Sequence, residues 1–167
     1  MIAISHPAAA LAVACTALIG PGQPPVKVHG VLANGQAGYV ELHNPSQAEV
    51  DLSGWSLASC SGSTKTVFLV FPSGFSLPPD EHLLIAGADF AGTSERRVVV
   101  PEISGEGQVL LDRHGTTVDR VGLSATSPCR EAEAAEPCAP GLPLVRDERS
   151  TDTDYNRRDF TCAEAPA

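Results

Sequence analysis

The sequence predicts an all-β protein folded as a sandwich of sheets, and three observations carry that expectation. Short alternating or apolar segments recur along the chain, and turn residues separate them at roughly 8–12 residue intervals. Gly 15 and Pro 14 are spread along the chain rather than gathered in one tract, as many short strands joined by turns require. Helical periodicity is nearly absent. With 167 residues, 43% hydrophobic and 19% charged, the chain is long enough for one globular domain with a real core.

Val26, Val28 and Gly30-Val31-Leu32 open the first strand, and Asn34-Gly35 marks a turn. Tyr39 to Asn44 then alternates: Val40 and Leu42 face one way, and Tyr39, Glu41 and His43 the other, as in a half-buried strand with one solvated face. Asn44-Pro45-Ser46 stops it, because proline cannot donate to a ladder. Val50 and Leu52 share one parity while Trp55 and Leu57 carry the other, so a turn or bulge at Ser53-Gly54 is needed to bring both pairs inside. Trp55, the single tryptophan, is then a core residue together with Val40, Leu42, Leu52, Leu57, Leu84 and Leu110.

Val67 to Phe71 is a continuous apolar run, expected to be a strand covered on both sides. Phe75 to Leu77, Leu83 to Ala86 and Val98 to Val100 follow as short strands. Gln108 to Asp112 and Thr117 to Val121 flank Arg113-His114-Gly115, a hairpin with glycine in a left-handed position. Beyond Leu123 the composition turns to proline, alanine and acid, an extended loop, before a polar segment in which Asp159 to Cys162 adds a last edge strand.

Residues 1–26 contain no Asp, Glu, Lys or Arg, and Ala8 to Gly20 is a run of small and apolar residues with the length of a signal-peptide hydrophobic region. Ala12-Val13-Ala14 offers a cleavage site before Cys15. Residues 1–25 are therefore expected to be a signal peptide or apolar N-terminal arm, 26–125 the sandwich, and 126–167 a disulfide-bearing loop and edge strand of the same domain. Export also suits the cysteines, since Cys60, Cys129, Cys138 and Cys162 remain as an even set once Cys15 leaves. Four cysteines allow three connectivities. Cys129–Cys138, closing a short acidic loop, with Cys60–Cys162 is the expected one, and free buried thiols are the alternative.

A net charge of −9 repels phosphate backbones, and the only basic pairs, Arg96-Arg97 and Arg157-Arg158, read as solvated surface, so nucleic acid is not the expected partner. Asp152-x-Asp154-x-Asn156 sets three oxygen ligands at alternate positions, as a calcium loop begins. Asp147, Asp159 or backbone carbonyls would have to complete it, and an Asx-turn ordering the last strand is the simpler expectation. Among His6, His29, His43, His82 and His114 no zincin spacing occurs. Glu41 and His43 share a strand face, which is expected to be solvated rather than metal-bound. No nucleophile elbow, P-loop or dinucleotide glycine pattern is present, so no catalytic residue is assigned.

Four stretches together resemble the lamin tail domain family. They are Tyr39 to Asn44 with Val50 to Leu57, Phe71 to Leu77 with Leu83 to Ala86, Val109 to Asp119, and Asp152 to Phe160, the last like the tail of bacterial exported members. They span about residues 26–162. The resemblance implies an immunoglobulin-like β-sandwich without catalytic residues, one that mediates contacts with proteins. The expected function is thus an exported, monomeric module, secreted or at the cell surface. It would bind a protein or cell-envelope partner, with no transmembrane span in the mature chain and no cofactor. A calcium-stabilised adhesin or scaffold using the 152–156 loop is the alternative, tested by whether calcium raises the melting temperature.

Overall fold

The computed structural model describes residues 25–163, so the signal-peptide segment and Cys15 lie outside the described residues. In chain order the elements are β1 (Lys27–Leu32), β2 (Tyr39–His43), β3 (Val50–Asp51), β4 (Ser56–Ser61), β5 (Thr64–Val70) and β6 (Ser76–Leu77). There follow β7 (His82–Ala86), β8 (Arg97–Val99), β9 (Gly107–Leu111), β10 (Thr117–Gly122), β11 (Leu144–Val145), the single-turn helix α1 (Asn156–Asp159) and β12 (Thr161–Cys162). One sheet runs β12-β11-β1-β2-β7-β8, a second runs β10-β9-β4-β5, and β3 with β6 forms a small ribbon. Adjacent strands are antiparallel except β7 and β8.

The two-residue period of a strand sorts side chains between the faces. Val40 and Leu42 of β2 stand opposite Ile85 and Leu83 of β7, and all four share one apolar cluster with Leu57 of β4 and Leu110 of β9. The cluster spans both sheets, which makes the molecule a sandwich. Leu52 and Trp55 join it because the chain turns between them: the Trp55 N–H donates to the Leu52 carbonyl at 2.9 Å, and Gly54 takes φ +75°. That left-handed residue is where the parity of the sequence pattern reverses. Gly115, at φ +77°, closes the β9–β10 hairpin, while Asp112 Oδ1 accepts the His114 and Thr116 N–H groups.

Leu84 is buried but not in this cluster. It faces outward from the first sheet and packs with Tyr39, Ala86 and Phe90. The outer face of β2 is accordingly covered, not solvated: Tyr39 is 0% and His43 1% exposed. The chain after β7 brings the Phe90 ring to 4.9 Å from that of Tyr39, and the segment after β11 lays Ser150 against His43. A second correction concerns β5. It is the edge of its sheet, with Val67 50% and Val70 59% exposed, because an apolar run has the same pattern at an edge as at a centre.

The disulfides pair Cys60 with Cys129 and Cys138 with Cys162, in place of the expected Cys129–Cys138 and Cys60–Cys162. Cys60 points outward from β4 beside Ala58 and Val109, and the loop after β10 crosses that face and delivers Cys129 to it. Cys138 lies past that crossing, near β12 at the far edge of the other sheet. The tail is integral to the fold: β11 pairs with β1 through Gly30↔Val145 and Val31↔Leu144, and β12 pairs with β11.

Candidate functional site

Three features of the folded chain can do chemistry or recognition: a buried ionic cluster around Arg146, a histidine cluster on the outer face of the first sheet, and the open edge at β5.

Arg146 follows β11 directly, and its side chain is 0% exposed. Its Nη2 lies 3.0 Å from Asp119 Oδ1, and its Nη1 lies 2.9 Å from Asp159 Oδ2 and 3.3 Å from Asp152 Oδ1. Nε and Nη1 donate to the Val28 and Thr151 carbonyls, and the guanidinium lies 4.4 Å over the Phe160 ring. Every donor of a fully buried guanidinium must find such a partner. Lys27 adds a 2.7 Å contact to Asp152. Burial is the main cause that pushes Asp119 up to about 6, against the pull of Arg146. Burial, with the Asp119 and Asp152 carboxylates close by, pushes Glu131 up to about 8. That direction favours the protonated form of Glu131, which lowers the negative charge enclosed with Arg146.

This cluster absorbs the residues of the calcium-loop expectation. Asp152 is committed to Lys27 and Arg146. Asn156 Oδ1 accepts the Gly122 and Glu131 N–H groups at 2.8 and 2.9 Å, while its Nδ2 donates to the Arg120 carbonyl and Glu131. Asp154, at φ +56°, is exposed. Asp152 and Asn156 are thus held by different partners, while the Asp154 side chain stands at the surface. Asp119, Glu131 and Asp152 do bring carboxylate oxygens within 4.8 Å of one another. The Arg146 guanidinium stands among them, however, and is itself the cation there.

The histidine cluster is built by strand register. His43 on β2 stands opposite His82 on β7, and the two rings stack at 4.1 Å. His29 is the extra residue at a β-bulge in β1, between Val28 (paired with Leu42) and Gly30 (paired with Glu41). The bulge re-aims its side chain, and its ring meets that of His82 edge-on at 4.7 Å. Glu41 lies beside them, its Oε1 3.0 Å from His82 Nδ1. Gly30 packs close by, and a Cβ there would come into contact with Glu41 Oε2 and the Tyr39 ring at 3.4 Å. Ser150, at φ +52°, places its hydroxyl 2.9 Å from His29 Nδ1 and 2.8 Å from His43 Nδ1. His43 Nε2 faces Asp80 Oδ1 at 3.5 Å. Burial, opposed by Glu41, pushes His29 down to about 4, and burial with the neighbouring His82 lowers His43 as well. Both shifts favour the neutral ring over the imidazolium. The Glu41–His43 strand face thus gathers two further histidines, which sequence spacing did not reveal.

The edges of the second sheet differ. At β10, Asn156 takes the Gly122 N–H and gives its amide to the Arg120 carbonyl, and the Ala135 N–H donates to the Gly122 carbonyl. A side chain and a loop stand where a further strand would pair. At β5 no strand lies on the outer side among the described residues. Its sequence, TKTVFLV, has one charge, Lys65, and no proline. Such an edge is a template for another chain.

No helix among the described residues is long and apolar enough to cross a membrane. Two disulfides are compatible with an extracellular protein. No curated protein matches the chain. The family model described as Lamin Tail Domain matches residues 21–125, the stretch that holds β1 to β10. With well over half its length matched and its sheets stacked as an immunoglobulin-like sandwich, the chain belongs to the lamin tail domain family.

Proposed function

We propose that the chain is an exported, non-enzymatic and monomeric interaction module, and that β5 is the edge through which it takes a protein or cell-envelope partner. The observation that carries this reading is the contrast between a plugged edge at β10 and an open, apolar edge at β5. An extended segment added there gains main-chain hydrogen bonds, and Val67 and Val70 add apolar contact that costs nothing to expose. Membership of the lamin tail domain family supports an interaction role, and the two disulfides support an oxidising compartment.

The test is a paired measurement in the native host. Cells are fractionated into cytosol, envelope and medium, and the chain is identified by non-reducing mass spectrometry. Binding of purified chain to the envelope fraction is then compared with that of a Val67→Lys/Val70→Lys variant. The reading expects oxidised chain outside the cell, and binding lost in the variant while its melting temperature stays within a few degrees. Reduced, intact chain in the cytosol sinks the export reading. Unchanged envelope binding by the variant sinks the β5 reading.

A further inference from the structure

We propose that His29, Glu41 and His82 form a binding site for a borderline divalent transition metal, with Zn2+ as the probe. One ligand atom from each lies within 4.8 Å of the others. That spacing lets three groups converge on one ion, and two imidazoles with one carboxylate are a donor set that zinc and its neighbours accept. Calcium and magnesium, which take oxygen, are poorly served by two nitrogens.

The hydrogen bonds around the site set the proton positions a metal needs. His43 Nε2 faces the Asp80 carboxylate at 3.5 Å without a hydrogen bond of good geometry, and that carboxylate, able only to accept, favours the His43 proton on Nε2. His43 Nδ1 is then bare and receives the Ser150 hydroxyl proton, the single proton that hydroxyl has. Ser150 Oγ in turn accepts from His29 Nδ1–H. His29 Nε2 is left with its lone pair free. A ligating histidine whose other ring nitrogen is held by an outer partner is the usual arrangement at metal sites. The last pair fits as well: His82 Nδ1 is buried within 3.0 Å of Glu41 Oε1, yet makes no hydrogen bond of good geometry with it. The two atoms lie side by side rather than aimed at each other. Stacking on His43 fixes the His82 ring, whose side chain is 36% exposed while its Nδ1 is buried. Three protein ligands leave a fourth coordination position on a tetrahedral ion for water or for a donor group from another molecule.

The experiment titrates Zn2+ into the full-length, oxidised chain by calorimetry after chelator treatment, with Ca2+ in parallel. A Cys15→Ser version is run alongside, because that cysteine lies outside the two bridges. The expected result is one Zn2+ per chain, unaffected by Cys15→Ser or His114→Ala. Affinity should fall at least about tenfold in each of His29→Ala, His82→Ala and Glu41→Gln, and about tenfold in Ser150→Ala, an outer-partner substitution. Pulsed electron paramagnetic resonance of the Cu2+-loaded wild type, which needs no variant to fold, should show two coordinated imidazoles. Absence of Zn2+ uptake, Ca2+ binding as tight as Zn2+, unchanged affinity in His82→Ala and Glu41→Gln, or fewer than two imidazoles on copper each overturns the proposal.

Discussion

Arg146 stands at the junction of β1, β10, β11 and the 151–160 segment, and removing its charge leaves Asp119, Asp152 and Asp159 facing one another. Arg146→Met should lower stability by about 3–5 kcal/mol, the cost of uncompensated buried charge, read as a shift in the urea midpoint. Glu131 gives the second residue-scale prediction. Between its ordinary range and about 8, the folded chain keeps a proton that the unfolded chain has released, so stability falls as pH rises through that window. Asp119, raised to about 6, acts in the same direction at lower pH, while His29, lowered from 6.5 to about 4, acts in the opposite one. His43, also lowered from 6.5, acts with His29, so Glu131 dominates among these groups only from about pH 7.5 to 8.5, at no more than about 1.4 kcal/mol per pH unit. Glu131→Gln, which mimics the protonated acid, should flatten the decline seen in urea midpoints measured across that interval. An equal decline in the variant rules this account out. Neither residue was legible beforehand, because a buried arginine and a buried glutamate look like surface ones until their partners are known.

At the scale of elements, the two bridges hold different parts. Cys138–Cys162 ties β12 to the loop, and Cys60–Cys129 pins the loop after β10 across the outer face of β4 and β9. Each closes a long loop, with sequence separations of 24 and 69, so removing either as a double Cys→Ser variant should cost about 3.5–4.5 kcal/mol, the longer loop more. Hydrogen exchange separates them: loss of Cys138–Cys162 should expose the amides of β11 and β12 and leave β4 and β9 protected. The turns at Gly54 and Gly115 were readable because a left-handed residue leaves a compositional mark. The pairing of cysteines was not, since nearness along the chain between Cys129 and Cys138 said nothing of the sheet that lies between them. The face of β2 was misjudged for a related reason. Alternation shows which residues share a side, but not whether a loop later covers it.

For the whole molecule, the matched stretch of the family, residues 21–125, stops short of Arg146, Ser150 and Asn156. A chain ending at 125 would lose β11 and β12, the plug on β10, the partner of Cys60 and the counter-charge to Asp119. It should fail to fold cooperatively, seen as a missing thermal transition in circular dichroism where the full chain shows one. The sandwich itself was legible because each strand carries its own pattern. The histidine site was not, because His29, His43 and His82 lie on three separate strands and meet only through register and a bulge.

The side chain of Asn156 has a consequence for how copies of this molecule could assemble. By occupying the Gly122 and Arg120 main-chain groups, it stops the second sheet from growing on that side. Any chain that docks on β5 therefore meets a sheet with a single growing end. Head-to-tail stacking through this sheet, which needs two free edges per copy, has no second edge to use. If two copies join this sheet to its counterpart, they meet β5 to β5 and that sheet closes at a pair. One asparagine in a polar tail thus keeps this sheet from running on from copy to copy.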